Sequence, residues 1–310
     1  MNLLKTLAPL CLIGGMAQAG PVTIDSCAGS HTYDAPPARA VTLNQQATEV
    51  MLALGLENRM AGTAYMDDDI PAQWRDAYAK VPVLAEKYPA SEVVLAAEAD
   101  FLFAGFSSAF SEDNLGAADK WRGLGIGTYV ADASCKSFHP KDRPLTVEPI
   151  LKDIETIGKI FGVEDRAAEL AAATMARLEA VKGRAAGAGQ TAFLYDSGDD
   201  TPFSIGCCGG PALVAETVGL ENISGDLEGA WVDLAWERVV AADPDVIVLI
   251  EADWSSAAEK RAYMEADPVL AELTAVKEGR FVTVPFSQTL LGMQFADGVE
   301  SLNAQLAALK

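Results

Sequence analysis

Two stretches of this chain decide how it folds: Glu92-Val93-Val94-Leu95-Ala96-Ala97-Glu98-Ala99-Asp100-Phe101-Leu102-Phe103 and, far downstream, Glu237-Arg238-Val239-Val240-Ala241-Ala242-Asp243-Pro244-Asp245-Val246-Ile247-Val248. They align without a gap. Each offers a glutamate, a short amphipathic turn, a second acidic residue, and an aspartate leading into an apolar run. Another echo precedes each one: Gly55-Leu56-Glu57-Asn58 against Gly219-Leu220-Glu221-Asn222, each ending an apolar helical stretch. A chain that repeats itself on this scale folds most simply as two similar lobes, and two lobes facing each other make a cleft.

Outward from these anchors, short apolar runs alternate with helical spacing. Ala40 to Leu43, Arg59 to Ala64, Phe101 to Ala104 and Gly127 to Val130 read as strands of the first half. Thr191 to Tyr195, Val246 to Ile250 and Phe281 to Val284 read as strands of the second. Helices are expected over Glu49 to Leu56, with Gly55 as its C-terminal cap, then Leu145 to Ile160, Ala212 to Val218, Asp233 to Ala242 and Asp297 to Leu309. Ser91 reads as the N-cap of the helix that carries Glu92. Residues Gly20 to Pro37 read as irregular, Met66 to Pro71 as an acidic loop, and Asp196 to Pro211 as a long Gly-rich loop. Glu164 to Lys182 is alanine-rich without internal Gly or Pro, a stiff segment suited to joining the halves. The expected fold is α/β: two similar Rossmann-like lobes with parallel sheets, joined by a single long helix, with a ligand cleft between them. The expected bounds are an N-terminal lobe at 20–162, an inter-lobe helix at 163–186 and a C-terminal lobe at 187–310.

Residues 1–19 read as a cleaved secretory signal: Lys5, an apolar stretch from Leu7 to Met16, and Ala17-Gln18-Ala19 before Gly20. Cys11 follows Leu10, where a lipoprotein signal needs a small residue, so a soluble periplasmic protein is expected. The net charge of −21 argues against nucleic acid and anionic membrane surfaces as partners. After cleavage Cys27, Cys135, Cys207 and Cys208 remain, and an oxidising compartment favours disulfides. Cys27 with Cys135 is the favoured pairing, because both lie in the first half beside loop-like sequence. It leaves the adjacent Cys207 and Cys208 either bridged to each other or free as a thiolate pair. Cross-pairing between the halves is the remaining alternative, and would restrain opening of the lobes.

Little in the sequence supports catalysis. Beyond the signal, His31 and His139 are the available histidines, and no Gly-x-Ser-x-Gly turn or phosphate-binding Gly-x-x-x-x-Gly-Lys pattern occurs. An exported enzyme would have to rely on Asp196, Asp199 or Asp200. No His spacing suits a protein-held metal, and no cofactor is expected. A metallochaperone would use Cys207 and Cys208. Binding residues are sought after the strand ends: Asn44, Gln45, Gln46, Tyr65 and Phe106 from the first half; Phe203, Cys207, Trp231, Trp254 and Phe286 from the second. Aromatic walls with a few polar groups suit a bulky, partly planar ligand. Glu92 and Glu237 each favour a helix N-terminus electrostatically. Their recurrence at one offset in both halves also suits two acidic knobs docking on a two-fold symmetric partner.

The run Arg39 to Gly62 resembles the opening of substrate-binding proteins of ABC importers, in the helical-backbone class that carries cobalamin, ferric siderophores and haem. The Glu92 and Glu237 segments resemble that class's permease-docking motifs, and the helix after Gly162 its rigid inter-lobe helix. The resemblance implies a periplasmic binding protein, not an enzyme, that captures a metal chelate or tetrapyrrole-like ligand and delivers it to a permease dimer in the inner membrane. The Asp196 to Phe203 loop and the stretch Phe281 to Gly292 look most like a subgroup associated with a deazaflavin cofactor precursor; the Cys207-Cys208 pair departs from that pattern.

Overall fold

The computed structural model describes residues 20–27, 29–135 and 146–309. The proposed signal at 1–19, His139 and Leu145 lie outside them.

The first lobe is built on five parallel strands in the order β5-β4-β3-β6-β7. These are β3 (Ala40–Leu43), β4 (Met60–Ala64), β5 (Val83–Ala85), β6 (Phe101–Ala104) and β7 (Gly127–Val130). Ahead of them stands an antiparallel hairpin, β1 (Val22–Ser26) and β2 (Gly29–Tyr33), where the sequence reading expected irregular chain. Only Val22 and Ile24 mark the alternation of β1, and polar residues fill the remaining positions, so the period-two signal is faint. The hairpin is fastened to the lobe by the Cys27–Cys135 disulfide and by the buried Tyr33, whose hydroxyl donates to the Thr128 carbonyl at 3.2 Å.

The second lobe is built on β8 (Gln190–Ser197), β9 (Phe203–Ile205), β10 (Leu220–Asn222), β11 (Trp231–Asp233), β12 (Val246–Glu251) and β13 (Phe281–Pro285). Strands β10, β12 and β13 run parallel to β8 or its neighbour, while β9 and β11 form an antiparallel ribbon on the far half of β8. The sequence reading missed both ribbon strands. Residues 203–205 lie inside the expected Gly-rich loop, and 231–233 run into the expected helix, which starts only at Trp236.

Both sheets are buried on both faces, which is why their strands read as unbroken apolar runs. Phe101 and Phe103 face one cluster, Leu102 and Ala104 the other; Val246, Val248 and Ile250 divide from Ile247 and Leu249 in the same way. The inward sides of both sheets share one continuous core cluster, extended by Ile150, Ile154 and Ile157 of the helix Glu148–Phe161 and by Val299, Leu302 and Leu306 of the helix Phe295–Ala308. The helix Glu164–Lys182 packs on both of these helices. Arg177 fixes it to the second lobe through Asp297 and Glu300.

Two helix starts differ from expectation. The first long helix covers Gln45–Ala53, four residues earlier than read, because Gln45 and Gln46 are buried, and Gln45 is hydrogen-bonded, rather than loop-forming. Ser91 is the first residue of the helix Ser91–Ala96, not its cap, and Ala90 stands before it without a side-chain capping bond.

Candidate functional site

The carboxyl ends of both sheets point at a common cleft, the usual ligand position in open α/β sheets. From the first lobe come Asn44 and Gln46 after β3, Tyr65 after β4, and Phe106 after β6. Asn44 (φ 80°) and Tyr65 (φ 61°) both hold left-handed backbone, an uncommon state for side chains of their kind that clusters at ligand clamps. Gln46 is clasped between the lobes. A Cβ on Gly105 of the first lobe would lie 2.5 Å from its Cδ, and one on Gly292 of the second 2.8 Å from its Cβ. Glycine alone allows that approach.

The second lobe presents an aromatic row. The Phe286 ring lies 4.8 Å from that of Trp254 and 6.3 Å from that of Trp231. Trp254 is 53% exposed. Gln46, Phe106 and Ala131 face Gly210, Trp231 and Leu290 across one cavity of the cleft. Asn44 is oriented by Tyr88, whose hydroxyl donates to Asn44 Oδ1 at 3.0 Å, and by the Phe106 backbone N–H at 3.3 Å. This leaves Asn44 Nδ2 a donor and Gln46 Oε1 an acceptor without a protein partner, though both are buried. Buried polar atoms of that kind are costly unless something meets them.

Three of the residues selected from sequence sit elsewhere. Gln45 is spent internally: its Oε1 accepts from the backbone N–H of Asp67 (3.1 Å) and Asp68 (3.2 Å), and its Nε2 donates to Glu49 (2.7 Å). It therefore shapes the acidic loop. Phe203 begins β9 opposite Ser197 and Asp233. Cys207 lines a separate groove with Glu216, Glu221 and Asn222, because the β9–β11 ribbon turns it away from the cleft. It is disulfide-bonded to Cys208. Asp196 is buried and accepts from Ser197 Oγ, with its ionisation pushed up by desolvation.

The sequence reading also passed over a junction between the lobes. Glu49, only 1% exposed, accepts from Gln45 and, across the cleft, from Gln294 Nε2 at 2.6 Å. Burial, reinforced by Asp297 and Asp68, pushes its carboxyl up to about 8. The Ser287 backbone N–H donates to Asp68 at 2.8 Å, a second link between lobes. Asp67 is pushed up to about 6 by burial and by Asp68. A second cavity of about 700 Å³ opens here, lined by Asp67, Asp68, Asp69 and Arg75 of the first lobe and Glu251, Asp253, Ser287 and Asp297 of the second. Lys87 stands 4.3 Å over the Tyr65 ring, and its charge opposes the upward push on Asp67. Among the described residues, no group of three or more His, Cys, Asp or Glu side chains is placed to hold a metal ion.

Glu92 and Glu237 both lie exposed in the first turn of short helices, one on each lobe. Among the described residues, no helix is long and apolar enough to cross a membrane.

Known proteins share this architecture. Residues 41–287 match the periplasmic binding protein family. The chain is similar to the uncharacterized ABC transporter substrate-binding lipoprotein YvrC of Bacillus subtilis (strain 168), at 26% identity over 288 residues, covering 91% of this chain and 84% of that protein. It is also similar to the crystal structure of a periplasmic binding protein from Veillonella parvula dsm 2008, at 29% identity and a TM-score of 0.82, covering 91% and 95% of the two chains. An ABC-type Fe3+-hydroxamate transport system structure from Saccharomonospora viridis DSM 43017 has the same fold at 23% identity and a TM-score of 0.75, covering 92% of this chain and 98% of that one. Two lobes with a shared cleft, and a family match over most of the chain, place this protein in the periplasmic binding protein family, as a binding protein and not an enzyme.

Proposed function

We propose that this protein is the exported binding component of an ABC importer, taking a bulky, partly planar small molecule, a metal chelate or tetrapyrrole-like compound, into the cleft between its lobes. The observation that carries this reading is the aromatic row Trp231–Phe286–Trp254, whose Trp231 shares a cavity with Gln46, together with the buried and unmet Asn44 Nδ2 and Gln46 Oε1 at the strand ends of the other lobe. Flat apolar surface stacks on the rings, and two orienting polar groups fix its edge. The names of the relatives support the transporter role, and that of the Fe3+-hydroxamate system supports a chelate.

In this reading residues 1–19 are the cleaved export signal, 20–162 and 187–310 are the jaws, and 163–186 hold them at a nearly fixed angle. The continuous core shared by both sheets resists wide hinge motion. Glu92 and Glu237 then seat the loaded protein on a two-fold symmetric permease in the inner membrane. Native mass spectrometry and an absorption spectrum of protein purified from its own periplasm test the cargo: a co-purifying chromophore is expected. Glu92→Ala combined with Glu237→Ala is expected to abolish uptake while leaving ligand affinity unchanged, and normal uptake by that variant would remove the docking role.

A further inference from the structure

The acidic cavity at the lobe junction is lined by six carboxylates, Asp67, Asp68, Asp69, Glu251, Asp253 and Asp297, against the single guanidinium of Arg75. Some of these charges are already engaged. Asp68 accepts from Ser287 N–H, Glu251 from Ala257 N–H at 2.9 Å, and Asp297 from Arg177. Asp69 and Asp253, one from each lobe, are exposed and face each other's loops without a hydrogen bond of their own. Independently of the charges, Ser287 lines the same cavity, is 4% exposed, and holds a hydroxyl that no protein group meets. The buried Oδ2 of Asp67 is unmet in the same way. The cavity also adjoins the aromatic row through the chain itself, Asp253 preceding Trp254 and Phe286 preceding Ser287.

We propose that this cavity is a cation subsite, holding a positively charged organic group of the ammonium, guanidinium or N-alkylpyridinium kind that projects from a molecule packed against the edge-to-face pair Trp254 and Phe286. The inference rests on the cleft reading above and narrows it: the cargo is cationic, and polyanionic ligands are rejected. Carboxylates that outnumber the neighbouring Arg75, Arg177 and Lys87 charges, in a partly enclosed space, attract such a group more strongly than in open water. The adjoining ring faces add cation–π attraction. A bare metal ion is the poorer occupant, since no three of these side chains converge in ligating geometry among the described residues.

The test uses two probes with the same flat core, tetrakis(N-methyl-4-pyridyl)porphyrin and tetrakis(4-sulfonatophenyl)porphyrin, followed by tryptophan quenching at physiological ionic strength. The cationic probe is expected to bind at least about tenfold more tightly. Asp69→Asn with Asp253→Asn should weaken it by about tenfold; neither side chain makes an internal hydrogen bond, so folding is preserved. Ser287→Ala should weaken it by a smaller factor. Glu169→Gln with Glu179→Gln, on the outer face of the inter-lobe helix, should change it by no more than about twofold, since those distant charges are screened. An equal loss from that control pair would mean bulk charge alone and would overturn the proposal. Stoichiometric displacement of the probe by Ca2+ would replace the organic cation with a bare ion. If both probes bind equally and Trp254→Ala weakens both, the cleft stands and the cation subsite falls; if neither quenches tryptophan, both readings fall.

Discussion

The two lobes share a frame and differ in what is hung on it. In both, an aspartate at the foot of the second central strand holds the start of the first. Asp100 accepts from the backbone N–H of Ala38 (2.7 Å) and Arg39 (2.9 Å), and Asp245 from that of Thr191 (2.8 Å). Two residues earlier, Glu98 (φ 50°) and Asp243 (φ 39°) both turn the chain in left-handed backbone. Val94 and Val239 are both fully buried, whereas Glu92 and Glu237 are both exposed. Yet β3 passes through Asn44 alone into its helix, while β8 is followed by residues 198–209 before the helix Gly210–Thr217 begins. That extra chain forms β9, pairs with β11 and delivers Trp231 to the cleft. Under the proposed function, the frame is repeated where a two-fold partner would meet it and diverges at the cleft that would take the ligand.

The largest expected effect lies where the lobes touch. The Glu49 carboxyl is held near 8 in the folded protein, against an ordinary value of 4.5. A raised carboxylate favours the folded state fully below about 4.5 and loses that contribution as pH rises through about 8. Stability should therefore fall by a few kcal/mol across this window, with Asp67 adding a smaller decline between its ordinary 3.8 and about 6. Glu49→Gln retains an oxygen for Gln45 and Gln294. It is expected to match the wild type near pH 4 and to exceed it near pH 8 in chemical denaturation. Parallel pH profiles for the two proteins would show that this junction carries no such burden.

Lys260 sharpens the contrast between lobes, because among the described residues the first has no buried lysine. It is 2% exposed, and its ammonium donates to the carbonyls of Asp196 (2.6 Å), Ile250 and Ser255 (2.7 Å), tying the ends of β8 and β12 to the following loop. Burial lowers its ionisation, but three acceptors hold the charge in place. Lys260→Met strands those carbonyls and should cost about 3 kcal/mol, measured by urea unfolding. The paired aspartates make a matched test of the shared frame. Asp100→Ala and Asp245→Ala should each cost about 0.5–1.5 kcal/mol, because the backbone donors they release lie near the surface, where water can meet them. Clearly unequal losses would mean that the two sites are alike only in sequence.

What the sequence discloses follows from the same contrast. Runs such as Phe101 to Ala104 and Val246 to Ile250 are legible because both faces of each sheet are buried, so nothing interrupts the apolar signal. The β1–β2 hairpin escapes notice because its strands are rich in Ser, Thr and Gly, and the β9–β11 ribbon because strands of three residues are too short to show a period of two. Gln45 and Gln46 look like loop residues until distant partners, Asp67, Asp68 and Gly292, turn them into a helix start. Tyr88, which orients Asn44, follows the three-residue strand β5, too short to predict. The acidic loop is plain at 66–71, but nothing local announces that Asp253 and Ser287 will close a cavity over it. For the same reason Cys207 is drawn to the cleft by its glycine neighbours, and only the ribbon's pairing turns it into another groove.

The smallest effect on stability asks the most pointed question of the repeat. Three residues after each glutamate stands an apolar side chain with no core to fill: Leu95, 48% exposed, and Val240, 36% exposed. Single exposed apolar residues are ordinary, but the same offset on both lobes is what a two-fold partner would meet. Leu95→Ser and Val240→Ser should each change folding free energy by no more than about 0.5 kcal/mol and leave ligand affinity untouched. If the glutamates are docking knobs and these residues their apolar collars, the double variant should nevertheless slow uptake in cells, with both lobes contributing similarly. Slowed uptake from only one of the two substitutions would mean that the partner meets the lobes unequally, and that the repeated frame is a relic of duplication at one of its two ends.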